Sequence, residues 1–308
     1  MNEKSLAVET AFPPLPLAEW QPAKNTLHLY LQIVGKIRLK LQPRQNHWWH
    51  VPFYVSPHGL TTRPIPFDGG NFEIEFDFIE HHLKIRTSGG GEKSFALEDG
   101  LAVADFYRQV FESLAALGIE AKIWAVPYET PSKIPFAEDT ENKYYDKKYV
   151  EKFHRILVSV NDIFEEFRGR FIGKSTPVHL FWHSFDLALT RFSGKLAPVK
   201  ESAGTVEREA YSHEVISFGF WTGDDNVLAP AFYSYTAPEP ENLTDEKLEP
   251  AAALWNIDKG AMAILMYDDA RNSDAPRKAI LEFLESAYQA GAKRAGWDTD
   301  AFAIKPLG

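Results

Sequence analysis

From Phe72 to Phe78 every second residue is large and apolar (Phe72, Ile74, Phe76, Phe78), and the residues between them are Glu73, Glu75 and Asp77. That period of two is the mark of a strand with one buried face and one acidic, solvated face. Asp68-Gly69-Gly70 precedes the run as a turn signal. A tight turn near Glu80–His82 follows it, then the alternating Leu83, Ile85 and Thr87, then Gly89-Gly90-Gly91. Tight turns, not crossover helices, separate these neighbours, so they pair antiparallel.

Helical spacing appears elsewhere. Leu101–Leu117 carries Val103, Phe106, Val110 and Leu114 on one face and ends at Gly118. Asp146–Arg168 and Ala275–Arg294 read the same way, the latter with Asp274 as N-cap and Pro276 in the first turn. Asn25–Leu41 fits both periods, and Asn25 as cap with Pro43 as stop favours helix. Strand-like runs cover Trp48–Val55, Ile119–Val126, Val178–Phe192, Glu214–Trp221, Ala231–Tyr235, Ala251–Trp255 and Ala261–Tyr267. The expected fold is α+β: mostly antiparallel sheet with packed helices.

The prolines of residues 11–22 argue for an extended N-terminal arm over 1–24. Beyond it the chain divides into an α+β half at 25–128, a Pro- and charge-rich connection at 129–148, and a second α+β half at 149–308. Both halves run helix, strands, helix. Gly35-Lys36 leads to His47-Trp48-Trp49-His50 much as Gly173-Lys174 leads to His179–His183. Internal duplication and coincidence both account for this, and the halves are compatible with one compact domain.

Composition removes several function classes. There is no cysteine among the 308 residues, so disulfides, thiolate metal sites and cysteine nucleophiles are excluded. A net charge of −10 argues against a nucleic-acid partner. The first ten residues lack an apolar signal-peptide core, and the longest apolar stretch, Gly260–Tyr267, is too short to span a bilayer. A soluble, cytoplasmic protein with no membrane association is expected.

Motif by motif, familiar chemistry fails. Gly173-Lys174-Ser175 lacks the upstream glycine and the strand-to-helix setting of a phosphate loop. His213-Glu214 has Ser217 where a zinc-binding helix needs its second histidine. No metal site and no cofactor is assigned. The unexplained chemistry sits where histidines flank aromatics, at 47–50 and 179–183, and in the polar file Ser184, Asp186 and Thr190 beside Trp182. His183, Asp186 and His213 are the candidate catalytic residues, with a histidine as general base oriented by Asp186 or Glu214. His47, Trp48 and His50 are candidate ligand contacts, and Lys174 or Arg191 would hold an anionic substrate. His28 and His154 lie within helices and carry no further signal. The expectation is a small-molecule binding protein or enzyme with a His/Trp-lined cleft. A protein-interaction module using exposed tryptophans and a carbohydrate-binding protein are the alternatives.

Asn46-His47-Trp48-Trp49-His50-Val51-Pro52, Phe76-Asp77-Phe78-Ile79, the run from Phe171-Ile172-Gly173-Lys174-Ser175 to Ser193-Gly194, and Glu209–Glu214 together resemble a bacterial family known only as a domain of unknown function. The resemblance extends from about Leu15 to Trp297. It implies one family domain and carries no reaction or catalytic residue with it.

Overall fold

The structure, a computed structural model, describes residues 11–198, 202–225 and 227–304. Helix α1, Leu17–Leu41, is the axis of the fold, and every residue from Leu29 to Arg38 is buried. A helix buried on all sides has apolar residues on all sides, which is why its sequence also fitted a strand period. It starts at Leu17, ahead of the expected Asn25. Pro16 occupies the N-cap and Pro22 lies inside the helix. Pro22 removes the bond to the Ala18 carbonyl, and the Thr26 hydroxyl donates to the Pro22 carbonyl at 3.1 Å. The extended-arm expectation therefore fails for residues 17–24, and Met1–Thr10 lie outside the described residues.

The first sheet contains β1 (Tyr54–Val55), β2 (Gly59–Thr61), β3 (Ile65–Phe67), β4 (Gly70–Asp77), β5 (His82–Thr87) and β6 (Glu92–Ala96). Its order is β1-β2-β4-β5-β6, with β3 also pairing β4, and every pairing is antiparallel. Phe72, Ile74, Phe76 and Phe78 are all buried, as their alternation requires. Helix α2 (Val103–Ala116) lies on that face, with Phe106 stacked on Phe76 at 6.1 Å. Residues 119–126 form no strand, and of the 48–55 run only Tyr54–Val55 does.

After helix α3 (Lys147–Gly169), capped by the Asp146 carboxylate on two backbone N–H groups, comes the second sheet. Its strands are β7 (His179–Phe181), β8 (Asp186–Leu196), β9 (His213–Trp221), β10 (Ala231–Ala237), β11 (Leu254–Asn256) and β12 (Met262–Met266). The order is β11-β12-β10-β9-β8-β7, again antiparallel. The expected continuous run at 178–192 is a hairpin that turns at residues 182–185, with Phe185 at φ 57°. Helices α4 (Thr205–Ala210), α5 (Tyr267–Arg271), α6 (Pro276–Arg294) and α7 (Thr299–Phe302) complete the chain. Pro276 opens α6, but Ala275 and not Asp274 is its cap residue.

The two sheets have equal strand numbers but different orders, so the shared helix–strands–helix sequence does not extend to topology. A bridge between Phe53 and Leu180 ties the edge of the first sheet to β7. One apolar cluster draws on both halves, from Trp20 and Phe76 to Phe218 and Phe283. No described helix is long and apolar enough to cross a membrane.

Candidate functional site

Alternation on the second sheet separates two chemistries. Leu187, Leu189 and Arg191 of β8 share a face with Ile216, Phe218 and Phe220 of β9. That face packs on the helices, with Phe167 edge-on to Phe218 at 4.9 Å. The opposite, outer face carries Asp186, Ala188 and Thr190 beside Trp221, Gly219 and Ser217, then Tyr233 and Tyr235 of β10. Its floor is therefore built of small residues. Thr190 and Ser217 exchange a hydroxyl hydrogen bond at 2.8 Å. The Tyr233 ring lies directly on Gly219, where an added Cβ would come within 2.3 Å of it.

Phenols form one side of this face. Tyr233 and Ser184 both donate to the Asp186 carboxylate. Tyr235 stacks on Tyr233 at 6.2 Å, and its hydroxyl meets that of Tyr211 at 2.9 Å. Burial, with Asp186 adding to it for Tyr233, pushes both phenols well above their ordinary range. They stay protonated, the Tyr233 proton held by the Asp186 carboxylate and the Tyr235 hydroxyl engaged with that of Tyr211.

Cations form the other side. The Phe53–Leu180 bridge sets Tyr54 beside His179, whose ring stands edge-on at 6.3 Å. The Arg63 guanidinium lies 3.4 Å from the Tyr54 ring centroid and that of Arg38 lies 5.7 Å from it. Arg38 is only 4% exposed; it donates to the Thr62 carbonyl, and its Nε has no partner. Among the described residues neither arginine is ion-paired. Both ring nitrogens of fully buried His179 are also unpartnered. Burial, then the nearby charges of Arg63 and Arg38, hold His179 down to about 3, so it is neutral.

The His–Trp turn closes one end. His47 and Trp48 adopt left-handed backbone (φ 53° and 62°) in a short 3-10 turn, not the expected strand. The turn lays His47 on Phe192 at 4.8 Å and edge-on to His213 at 5.3 Å. Trp48 stacks on His50 at 5.6 Å and donates from Nε1 to the Val206 carbonyl at 3.3 Å. The Lys174 ammonium sits 5.6 Å from the Trp49 ring. Burial lowers both His47 and His50.

The structure places His47, Trp48, His50, Lys174 and His213 in one neighbourhood, but it does not bring the candidate catalytic residues His183, Asp186 and His213 together. Asp186 pairs across the ladder with Trp221, while His213 lies opposite Leu196 at the other end. The strand between His213 and Trp221 spans roughly 26 Å at about 3.3 Å per residue. His183 bonds Glu129 at 3.2 Å, not Asp186. Arg191 lies on the helix-facing side, stacked on Phe167 at 3.6 Å. Trp182 leaves the polar file altogether and packs against Gly35 of α1. Arg38, Tyr54, Arg63 and Tyr233 escaped the sequence reading. Tyr233-Ser234-Tyr235 at a period of two was a legible signal; Arg38, one more base on an apparently solvated helix face, was not. His28, without signal in the sequence, reaches the Trp182 and His183 carbonyls at 2.8 and 3.1 Å, and burial holds it down to about 4.

The arrangement offers two guanidinium groups for an anion and phenolic, hydroxyl and carboxylate groups for a polar body. No cluster suited to a metal occurs among the described residues. No curated protein and no solved structure matches the chain. Residues 12–304 match a family of unknown function, DUF5996, and the chain belongs to that family.

Proposed function

We propose that this chain is a small-molecule binding protein, that its ligand carries an anionic group, and that the outer face of the second sheet is its seat. One observation carries the reading: Arg38 and Arg63 flank Tyr54 with no carboxylate paired to either. Arg38 is buried and Arg63 exposed; a buried cation without a counter-charge costs several kcal/mol, and a ligand anion held between the two supplies that charge to Arg38 when it binds. Guanidinium forks suit carboxylate and phosphate, while Thr190, Ser217 and Tyr235 present hydroxyls to the remainder of the ligand. The tryptophan-mediated interaction module has less support, since Trp20, Trp182 and Trp297 are buried and Trp124 stands alone as a strongly exposed indole.

The test is calorimetric titration and thermal shift with inorganic phosphate, citrate and glucose 6-phosphate, against glucose as the uncharged control. An anionic probe should raise the melting temperature in a salt-sensitive way, with stabilisation of about 2.7 kcal/mol at one hundred times Kd. Arg38→Met and Arg63→Met should each abolish that response. Equal responses in wild type and both variants, or none to any anion, would sink the proposal.

A further inference from the structure

On the opposite side of the second sheet, a cavity of about 550 Å³ opens between the end of α3, α6 and α7, in the size range of small-molecule sites. Arg191 and Tyr288 line it, although they are only 1% and 4% exposed. The Arg191 guanidinium is stacked 3.6 Å from Phe167 and 4.4 Å from Tyr288. It gives one hydrogen bond, from Nη2 to the Phe167 carbonyl; its Nε and the Tyr288 hydroxyl have no partner. Glu285 lines the same cavity and is close enough for its charge to act on Arg191, yet the two form no ion pair among the described contacts. The Glu285 carboxylate accepts from the Gln289 amide at 2.8 Å. Glu166, by contrast, is already held by Arg170 and Arg277.

We propose that this cavity is a second ligand site, and that its ligand is a free α-amino acid with an apolar side chain. An unpaired cation and an unpaired carboxylate facing one cavity are both satisfied by a zwitterion. Its carboxylate takes the planar Arg191 donors and the Tyr288 hydroxyl, and its ammonium takes Glu285. The side chain has a place as well. An adjoining groove of about 710 Å³ shares Glu166, Arg170 and Glu285 with the cavity; Phe12, Pro276 and Leu281 supply its apolar lining, beside further charged residues of α6. The site is independent of the anion-binding face, which lies across the sheet.

Saturation-transfer NMR and calorimetry with L-leucine test this. Glycine, 4-methylpentanoate and isopentylamine each remove one of the three recognised groups and should bind at least tenfold more weakly than L-leucine. Arg191→Met and Glu285→Gln should each weaken L-leucine binding at least tenfold, while the phosphate response assigned to Arg38 stays unchanged. Glu285 is only partly buried on a helix surface, so its variant remains informative if Arg191→Met fails to fold. No saturable L-leucine binding at millimolar concentration, or undiminished binding in Glu285→Gln, overturns the site. Equal binding of 4-methylpentanoate overturns the zwitterion assignment.

Discussion

His179 is fully buried with both ring nitrogens unpartnered, and His28 is held neutral inside the same molecule. Burial also lowers His47, His50, His81 and His154. In each case the unfolded chain takes up a proton near pH 6.5 that the native state refuses. Stability is therefore complete above about pH 6.5 and is lost as pH falls toward the native values, about 4 for His28 and about 3 for His179. His28 and His179, the two whose native values are known, each contribute about 1.4 kcal/mol per pH unit within that window. Urea unfolding between pH 7 and 4.5 should show this slope, and His179→Phe should reduce it by about 1.4 kcal/mol per unit without loss of stability at pH 7. An unchanged slope in that variant would show that His179 is protonated in the native state. At Gly219 the Tyr233 ring leaves no room for a Cβ. Gly219→Ala should cost about 1–3 kcal/mol by overpacking, although alanine is the better-ordered residue in isolation; a gain in the urea midpoint would contradict the contact.

At the scale of elements, α1 decides most. Its central stretch is buried on every side, so it meets the first sheet, α2, α3 and the β7–β8 turn at once. Two of its residues break helix rules for different reasons. Pro22 is exposed, so Pro22→Ala should stabilise by roughly 2 kcal/mol, being about 3 for the restored helix less about 1 returned to the unfolded chain. Gly35 instead makes room for Trp182, whose ring a Cβ would approach to 2.3 Å. Gly35→Ala should destabilise despite alanine's higher helix propensity. Chemical denaturation of the pair distinguishes them by opposite signs. The start of α1 was hidden in the sequence because proline in a second turn argues against helix locally. Packing of Trp20 and Ala23 into the core outweighs that local cost.

The whole molecule has one principal core that joins both halves, with the Phe53–Leu180 bridge sealing their edges. Unfolding should accordingly be a single transition, with tryptophan fluorescence and far-UV circular dichroism giving the same midpoint. Fragments 1–148 and 149–308, expressed separately, should lack cooperative transitions; a sharp one in either would mean that its half folds alone. By itself the sequence determined the strands with clear alternation, the amphipathic helices α2, α3 and α6, and the absence of thiol chemistry. These follow from backbone periods and side-chain types among near neighbours in the chain. It also marked the His–Trp turn and β8 as places of unexplained chemistry. Only the tertiary structure decided which groups meet: Arg38 with Tyr54, Arg63 and His179; His47 with His213; Arg191 on the face away from Asp186. Those meetings depend on how two sheets dock about a shared helix, and on which way a strand's alternation points once a turn has interrupted it. A single chain's local pattern contains neither.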